Sequence, residues 1–61
     1  MFIVKESGLG FLTKGGHSPD WHYAKRMSLE AARAYKYKPY TYYEIFEIVE
    51  YMDGTDIRII T

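Results

Sequence analysis

The sequence predicts a small α+β fold in which one helix packs on an antiparallel sheet, in the order β-β-α-β-β. Two observations predict it: runs of β-branched and aromatic residues alternate with turn residues at both ends, and strong helix formers stand between them. A third observation is the length of 61 residues, which leaves room for one hydrophobic core. We therefore expect one domain over residues 1–61.

The first element is a hairpin. Residues 2–5 and 11–13 are rich in strand-forming side chains, and Ser7, Gly8 and Gly10 lie between them. Glycine adopts the positive φ angles that a tight connection needs. Residues 14–17 contain Gly15-Gly16 and are predicted to form a mobile loop.

The central part carries two helix-start signals. Ser18-Pro19-Asp20 combines a hydroxyl cap, a proline and an acidic residue, and Ser28 precedes a run of strong helix formers. We expect a short turn over 19–24 and the main helix over 28–36, which Pro39 ends. One continuous helix is the alternative, because apolar residues recur from residue 23 to 35 at helical spacing.

The segment 42–52 is ambiguous. Its Tyr, Ile, Phe and Val content favours a strand, whereas Thr41 and Glu44 form a capping-box pattern and later apolar residues have helical spacing. We prefer the strand. Asp53-Gly54 predicts a turn on either interpretation, and residues 56–60 predict a final strand.

Composition excludes several classes of function. Cysteine is absent, which rules out disulfides and thiolate metal sites. Apolar runs are too short for a membrane span and the N-terminus lacks a secretory pattern, so we expect a cytoplasmic protein. Seven of the eight basic residues precede Tyr40, and five of the eight acidic residues follow it, which predicts a polarised surface field.

No pattern of residues predicts catalysis. His17, Asp20 and His22 match no ligand spacing for zinc, and each of Ser7, Ser18 and Ser28 is better explained by a turn or a cap than by nucleophilic chemistry. The glycines form no phosphate-binding loop. We therefore expect a non-enzymatic protein with no cofactor and no bound metal.

Aromatic and basic side chains are the main binding signal. The chain has seven Tyr, one Trp and three Phe, more than a core of this size can hide, and interface hot spots favour Trp, Tyr and Arg. We predict a protein-binding surface. Its candidate residues are Trp21, Lys25, Arg26, Arg33, Lys36, Tyr37, Lys38, Tyr40 and Tyr42.

Two alternatives to a protein partner remain. The interleaved Lys and Tyr of residues 35–43 suit single-stranded nucleic acid, where bases stack on rings and phosphates meet ammonium groups. The zero net charge argues against a dedicated nucleic-acid binder. The other alternative is a self-associating structural subunit, in which the aromatic surface forms a homodimer contact.

The order of elements resembles small uncharacterised bacteriophage and prophage accessory proteins over residues 2–50. In those proteins a hairpin precedes the phrase Ala-Lys/Arg-x-hydrophobic-Ser-x-Glu-Ala, which matches residues 24–31 here, and a Glu-rich strand follows. The Gly15-Gly16-His17 loop and the Tyr-Lys run depart from that pattern. The resemblance implies an accessory protein that binds and modulates or inhibits a host protein, such as a defence factor, in the bacterial cytoplasm. We therefore expect the partner to be a host or viral protein.

Overall fold

The computed structural model of the chain describes residues 1–35 and 39–60. Five strands form one sheet in the order β3-β2-β1-β4-β5, and every neighbouring pair is antiparallel. The elements are β1 Phe2–Glu6, β2 Gly10–Leu12, β3 His17–Ser18, a 3₁₀ turn Trp21–Tyr23, α1 Leu29–Arg33, β4 Tyr43–Tyr51 and β5 Gly54–Ile59. The α+β class is confirmed, but the order is β-β-β-α-β-β.

The third strand, β3, corrects the predicted loop at residues 14–17 and the predicted helix start at Ser18. The Gly15-Gly16 loop closes tightly, since the Thr13 N–H donates to the Gly16 carbonyl at 2.8 Å, and His17 and Ser18 then pair with β2. Gly10 admits this return strand because a Cβ atom there would lie 2.7 Å from the Ser18 carbonyl oxygen. A strand of two residues is too short to show an alternating pattern in the sequence. A glycine inside a strand, here Gly10, indicates a close backbone approach and is the only sequence signal for β3.

The helix is shorter than the predicted range 28–36. Ser28 is the N-cap as expected, and its Oγ accepts a hydrogen bond from the Ala31 N–H at 3.1 Å. The helix ends at Arg33, well before Pro39, because the last N–H groups bond three residues back and tighten the final turn. Lys36 in the predicted range lies outside the described residues.

The 3₁₀ turn confirms the short turn expected over 19–24, and its cap is Asp20. The Asp20 side chain accepts a hydrogen bond from the His22 N–H at 2.9 Å. Ser18 plays a smaller part, since its Oγ accepts a hydrogen bond from the Asp20 N–H. The break between this turn and α1 excludes one continuous helix.

The buried core occupies both faces of β1. Val4, Met27, Ala32 and Ile45 form a cluster beneath α1, and Ile3, Phe11 and Ala24 form a second cluster on the opposite face of the sheet. Successive residues of a strand point to opposite faces, which explains why Ile3 and Val4 are both fully buried. The predicted helix-on-sheet packing is confirmed, and the second cluster was not predicted.

The C-terminal half is the predicted hairpin, with β4 a strand rather than a helix. Residues 43–47 of β4 pair with β1 and residues 46–51 pair with β5, so residues 48–51 have β5 as their only paired strand among the described residues. The hairpin therefore projects beyond the rest of the sheet, and the molecule measures 40 × 21 × 16 Å. No helix among the described residues is long and apolar enough to cross a membrane.

Candidate binding groove

A shallow groove of about 720 Å³ opens between the glycine loop and the segment that follows the 3₁₀ turn. We call it the basic groove. The side chains that give it its character are Lys14, His17, Tyr23, Lys25 and Arg26. Tyr23, Lys25 and Arg26 are exposed, and 72% of Tyr23 is accessible to solvent.

Backbone hydrogen bonds hold one wall of the basic groove in place. The Lys25 N–H donates to the Leu12 carbonyl at 2.9 Å, and Met27 exchanges two hydrogen bonds with Phe2. Ala24 between the turn and these contacts is buried in the core. Lys25 and Arg26 therefore extend from a backbone fixed on both sides, which lowers the entropy that a partner must remove.

The three cationic side chains on the rim of the basic groove form no ion pair with a carboxylate of the described residues. The ion pairs between described residues join His17 to Glu6, His22 to Asp20 and Arg58 to Glu47. None of them involves Lys14, Lys25 or Arg26. Three positive side chains around one concave surface raise the local concentration of an anionic partner.

An apolar pocket of about 410 Å³ adjoins the basic groove. Met27, Ala31, Ala34 and Tyr35 line it, and Lys25 belongs to both cavities. The Tyr35 ring is fixed by a tilted contact with Tyr43, with ring centroids 5.3 Å apart. The two cavities together offer a positive rim beside an apolar floor.

The predicted site residues fall into separate groups. Lys25 and Arg26 line the basic groove, and Arg33 is exposed in the last turn of α1. Trp21 is half-buried, stacks on His22 at 4.0 Å and packs on the second core cluster, so its main role is structural. Lys36, Tyr37 and Lys38 lie outside the described residues.

Tyr40 and Tyr42 lie at the other end of β1. Tyr42 accepts a hydrogen bond from the Ser7 N–H, whereas Arg26 adjoins Met27, which pairs with Phe2. Ser7 lies five residues after Phe2 along extended chain, a distance of about 16 Å. Both rings are exposed, and Tyr40 has a left-handed backbone with φ 70°. The structure therefore does not bring these tyrosines to the basic groove.

Comparison of the chain with protein-family models, with curated proteins and with solved structures finds no match. Function is therefore inferred from the geometry of the site.

Sequence reasoning missed several residues of the two cavities: Lys14, His17, Tyr23, Met27 and Tyr35. Lys14 belongs to the predicted surface loop 14–17, and its charge is the one signal that pointed to it. His17 reaches the site through β3 and Tyr23 through the 3₁₀ turn. Met27 is held there by its bridge to Phe2, and Tyr35 follows the end of α1.

The polar residues weighed for metal or nucleophilic chemistry form separate pairs. His17 Nε2 lies 2.9 Å from Glu6 Oε1, and His22 Nδ1 lies 2.7 Å from Asp20 Oδ1. Within the described ranges, no group of three or more His, Asp or Glu side chains is arranged to hold a metal ion. Ser7 contacts Thr41 and the Tyr42 N–H, and Ser28 caps α1, so each hydroxyl has a structural partner.

The Asp20 carboxylate is held in its charged form by the turn that follows it. Its pKa lies below its ordinary value because the His22 backbone N–H donates to it and, secondarily, because the His22 ring bonds to the same oxygen. This carboxylate stabilises the turn that carries Tyr23 to the rim of the basic groove.

Proposed function

We propose that this chain is a non-enzymatic accessory protein that binds another protein, and that its groove takes an acidic segment carrying an apolar side chain. The single observation that carries the proposal is the position of Lys25, which lines both the basic groove and the apolar pocket. One ligand segment can therefore meet cations and an apolar surface within a few residues.

The positive charges of the basic groove support an acidic protein segment as the ligand. Lys14, Lys25 and Arg26 are unpaired by any described carboxylate, and an acidic partner would satisfy all three. Rim charges of this kind mainly raise the rate of association and fix the orientation of the partner.

The apolar pocket supplies a place for an anchor side chain. Met27 and Tyr35 line it, and a Met side chain adapts its shape to side chains of different form. Burial of one Leu- or Phe-sized side chain contributes about 1.5–3 kcal/mol, more than an exposed ion pair does. The apolar pocket would therefore provide most of the affinity, and the cations would orient the bound segment.

The resemblance to phage accessory proteins extends the proposal to a host protein as the partner, with modulation or inhibition of that protein as the outcome. Tyr40 and Tyr42 would add a second contact area only for a partner large enough to reach the other end of β1.

A nucleic-acid ligand is the second candidate, and Tyr23 favours it. Its exposed ring stands beside three cations, an arrangement in which a base can stack while phosphates meet Lys and Arg. A nucleic acid would leave the apolar pocket unused, and for that reason we favour a protein segment.

The test is affinity capture from a nuclease-treated bacterial lysate with three forms of the chain. They are the natural sequence, the double variant Lys25→Glu, Arg26→Glu, and the single variant Arg33→Glu as a control in which the charge changes outside the groove. We expect one protein to be recovered by the natural chain and the control and lost with the double variant. Equal recovery by all three forms would contradict the groove.

A second measurement separates the two candidates. Fluorescence anisotropy with labelled single-stranded oligonucleotides should show weak binding that does not depend on the groove. If binding is tight, falls steeply with salt and is lost in Lys25→Glu, Arg26→Glu, the nucleic-acid function replaces the protein one.

A further inference from the structure

Strand β5 forms one edge of the sheet. It pairs with β4 on its inner side, and no described residue pairs with its outer side. An unpaired edge presents backbone N–H and C=O groups that can template another strand. The opposite edge is β3, which has only two residues.

The outward-facing backbone groups of β5 follow from the register. The Ile60 N–H donates to the Ile45 carbonyl, and hydrogen-bonding direction alternates along an antiparallel strand. Even-numbered residues of β5 therefore bond to β4. The N–H and C=O groups of Thr55, Ile57 and Ile59 face the open edge.

The side chains of β5 are self-complementary about Ile57. Asp56 and Arg58 are its sequence neighbours, and their side chains lie on the opposite face of the sheet. Thr55 and Ile59 lie on the same face as Ile57, two residues before it and two residues after it. Ile57 also packs on the second core cluster with Phe46 and Ile48, and 52% of Ile59 is exposed. A two-fold axis through Ile57 would continue this apolar face into a second molecule.

We infer that β5 pairs antiparallel with β5 of a second copy of this chain, with Ile57 opposite Ile57 of the second copy. Thr55 then lies opposite Ile59 of the second copy, and both pairs belong to the class that exchanges two backbone hydrogen bonds. Asp56 lies opposite Arg58 of the second copy, and the symmetry repeats this ion pair. The two five-stranded sheets become one.

The pairing exchanges one existing contact. In the single chain the Ile57 N–H donates to its neighbour Asp56 Oδ1 at 2.8 Å. In the dimer that N–H donates to the Ile57 carbonyl of the second copy, and the Asp56 carboxylate turns to Arg58 of the second copy. Arg58 keeps its Nε and Nη2 bonds to Glu47 and uses Nη1 for the new contact.

The interface is isologous and closes on itself, so it gives a dimer rather than a fibre. It uses none of the residues of the basic groove, and the function proposed above stands or falls separately.

Sedimentation velocity over a wide range of concentrations tests the pairing on the natural chain. We expect the mass to rise from monomer to dimer with concentration, and salt to weaken the dimer by screening the exposed ion pairs. The variant Asp56→Arg places like charges opposite each other and should raise the dissociation constant about tenfold or more. A monomer at the highest concentration overturns the inference.

Disulfide trapping tests the register. The chain has no cysteine, so Ile57→Cys introduces a single thiol at the two-fold axis, where the paired Cα atoms would be about 5.5 Å apart and within disulfide reach. The matched control is Thr55→Cys, whose two copies would be about 14 Å apart, four residues along the strand and one strand spacing across. We expect covalent dimer from the first variant at least about tenfold faster than from the second. Equal rates, with both variants folded by circular dichroism, would overturn the register.

Discussion

Two side chains decide where regular structure begins in the middle of the chain. Asp20 caps the 3₁₀ turn and Ser28 caps α1, each by accepting a hydrogen bond from a backbone N–H that the element itself leaves unpaired. Both residues were part of helix-start signals in the sequence. The first signal gave the right turn, with the cap two residues later than expected.

Replacement of Ser28 by Ala should lower the free energy of unfolding by about 1 kcal/mol, because the Ala31 N–H loses its acceptor. Urea denaturation followed by circular dichroism measures the change. Ser28→Asp keeps an acceptor at the same position and should retain most of the stability. A loss as large in Ser28→Asp as in Ser28→Ala would show that the cap is not the cause.

The lowered pKa of Asp20 predicts a local acid transition. The usual value is 3.8 and the folded value is lower, so the carboxylate contributes stability above pH 3.8 and loses it as the pH falls through its folded pKa. Trp21, the one tryptophan, stacks on His22 and reports the change by fluorescence. We expect a midpoint below 3.8.

Asp20→Asn is the control for this transition, since Asn still accepts the His22 N–H but does not titrate. The acid step in fluorescence should disappear in that variant, while far-UV circular dichroism tracks any global unfolding in both proteins. A midpoint at or above 3.8 in the natural chain would contradict the assignment.

At the scale of elements, the packing of β3 on β2 depends on one glycine. Gly10 has φ 106°, and a side chain there would collide with the Ser18 carbonyl, whereas Gly8 has φ 78° and open space around it. Both positions strain any other residue, but only Gly10 also needs a missing side chain.

Gly10→Ala should therefore destabilise the fold more than Gly8→Ala does. We expect about 1 kcal/mol for the backbone strain in Gly8→Ala, and a larger loss for Gly10→Ala because β3 must move. Hydrogen exchange measures the position of the effect, since the N–H groups that join β2 and β3 should lose protection in Gly10→Ala only. Equal protection in both variants would contradict the close approach.

The elements that the sequence predicted are those marked by a periodic pattern of apolar residues or by specific capping and turn residues. The β1–β2 hairpin and the cap at Ser28 follow from local rules that the structure obeys. The turn of the last hairpin lies one residue earlier than predicted, at Met52-Asp53, because Gly54 is the first residue of β5 and pairs with Tyr51. The end of α1 did not follow, because Ala34 and Tyr35 are acceptable in a helix and the last hydrogen bonds end it. Strand β3 is specified by contact with β2 rather than by its own residues.

The candidate site was predictable only in part. The charge of Lys25 and Arg26 predicts them as site residues, and both line the basic groove. The aromatic rings of Tyr40 and Tyr42 predict the same surface for them, but the pairing of β4 with β1 places both at the far end of β1. Strand register decides which residues share a surface. The chemical type of a single residue does not reveal that register.

At the scale of the whole molecule, β1 joins the two halves of the core. Ile3 and Val4 are both fully buried, each in a different cluster, and no other adjacent pair among the described residues is buried so completely. The helix and the C-terminal hairpin therefore depend on the same strand. We expect the chain to unfold in a single cooperative transition.

Ile3→Ala should come close to unfolding the protein. A domain of this length has a total stability of about 3–9 kcal/mol, and removal of a fully buried Ile side chain costs about 2–5 kcal/mol. Ile3→Val, which removes one methylene, should cost about 0.5–1.5 kcal/mol. Thermal melts followed at both far-UV and Trp21 wavelengths should coincide, and two separate midpoints would contradict the shared core.

The three methionines of the chain differ sharply in exposure, and this difference predicts different rates of oxidation. Met52 at the hairpin tip and Met1 are open to solvent, whereas Met27 is 8% exposed beneath α1, where it lines the apolar pocket. Dilute peroxide should convert the first two to sulfoxides quickly and Met27 much more slowly. Mass spectrometry of the three residues would then report how well packing beneath α1 protects Met27, without any dye or engineered label.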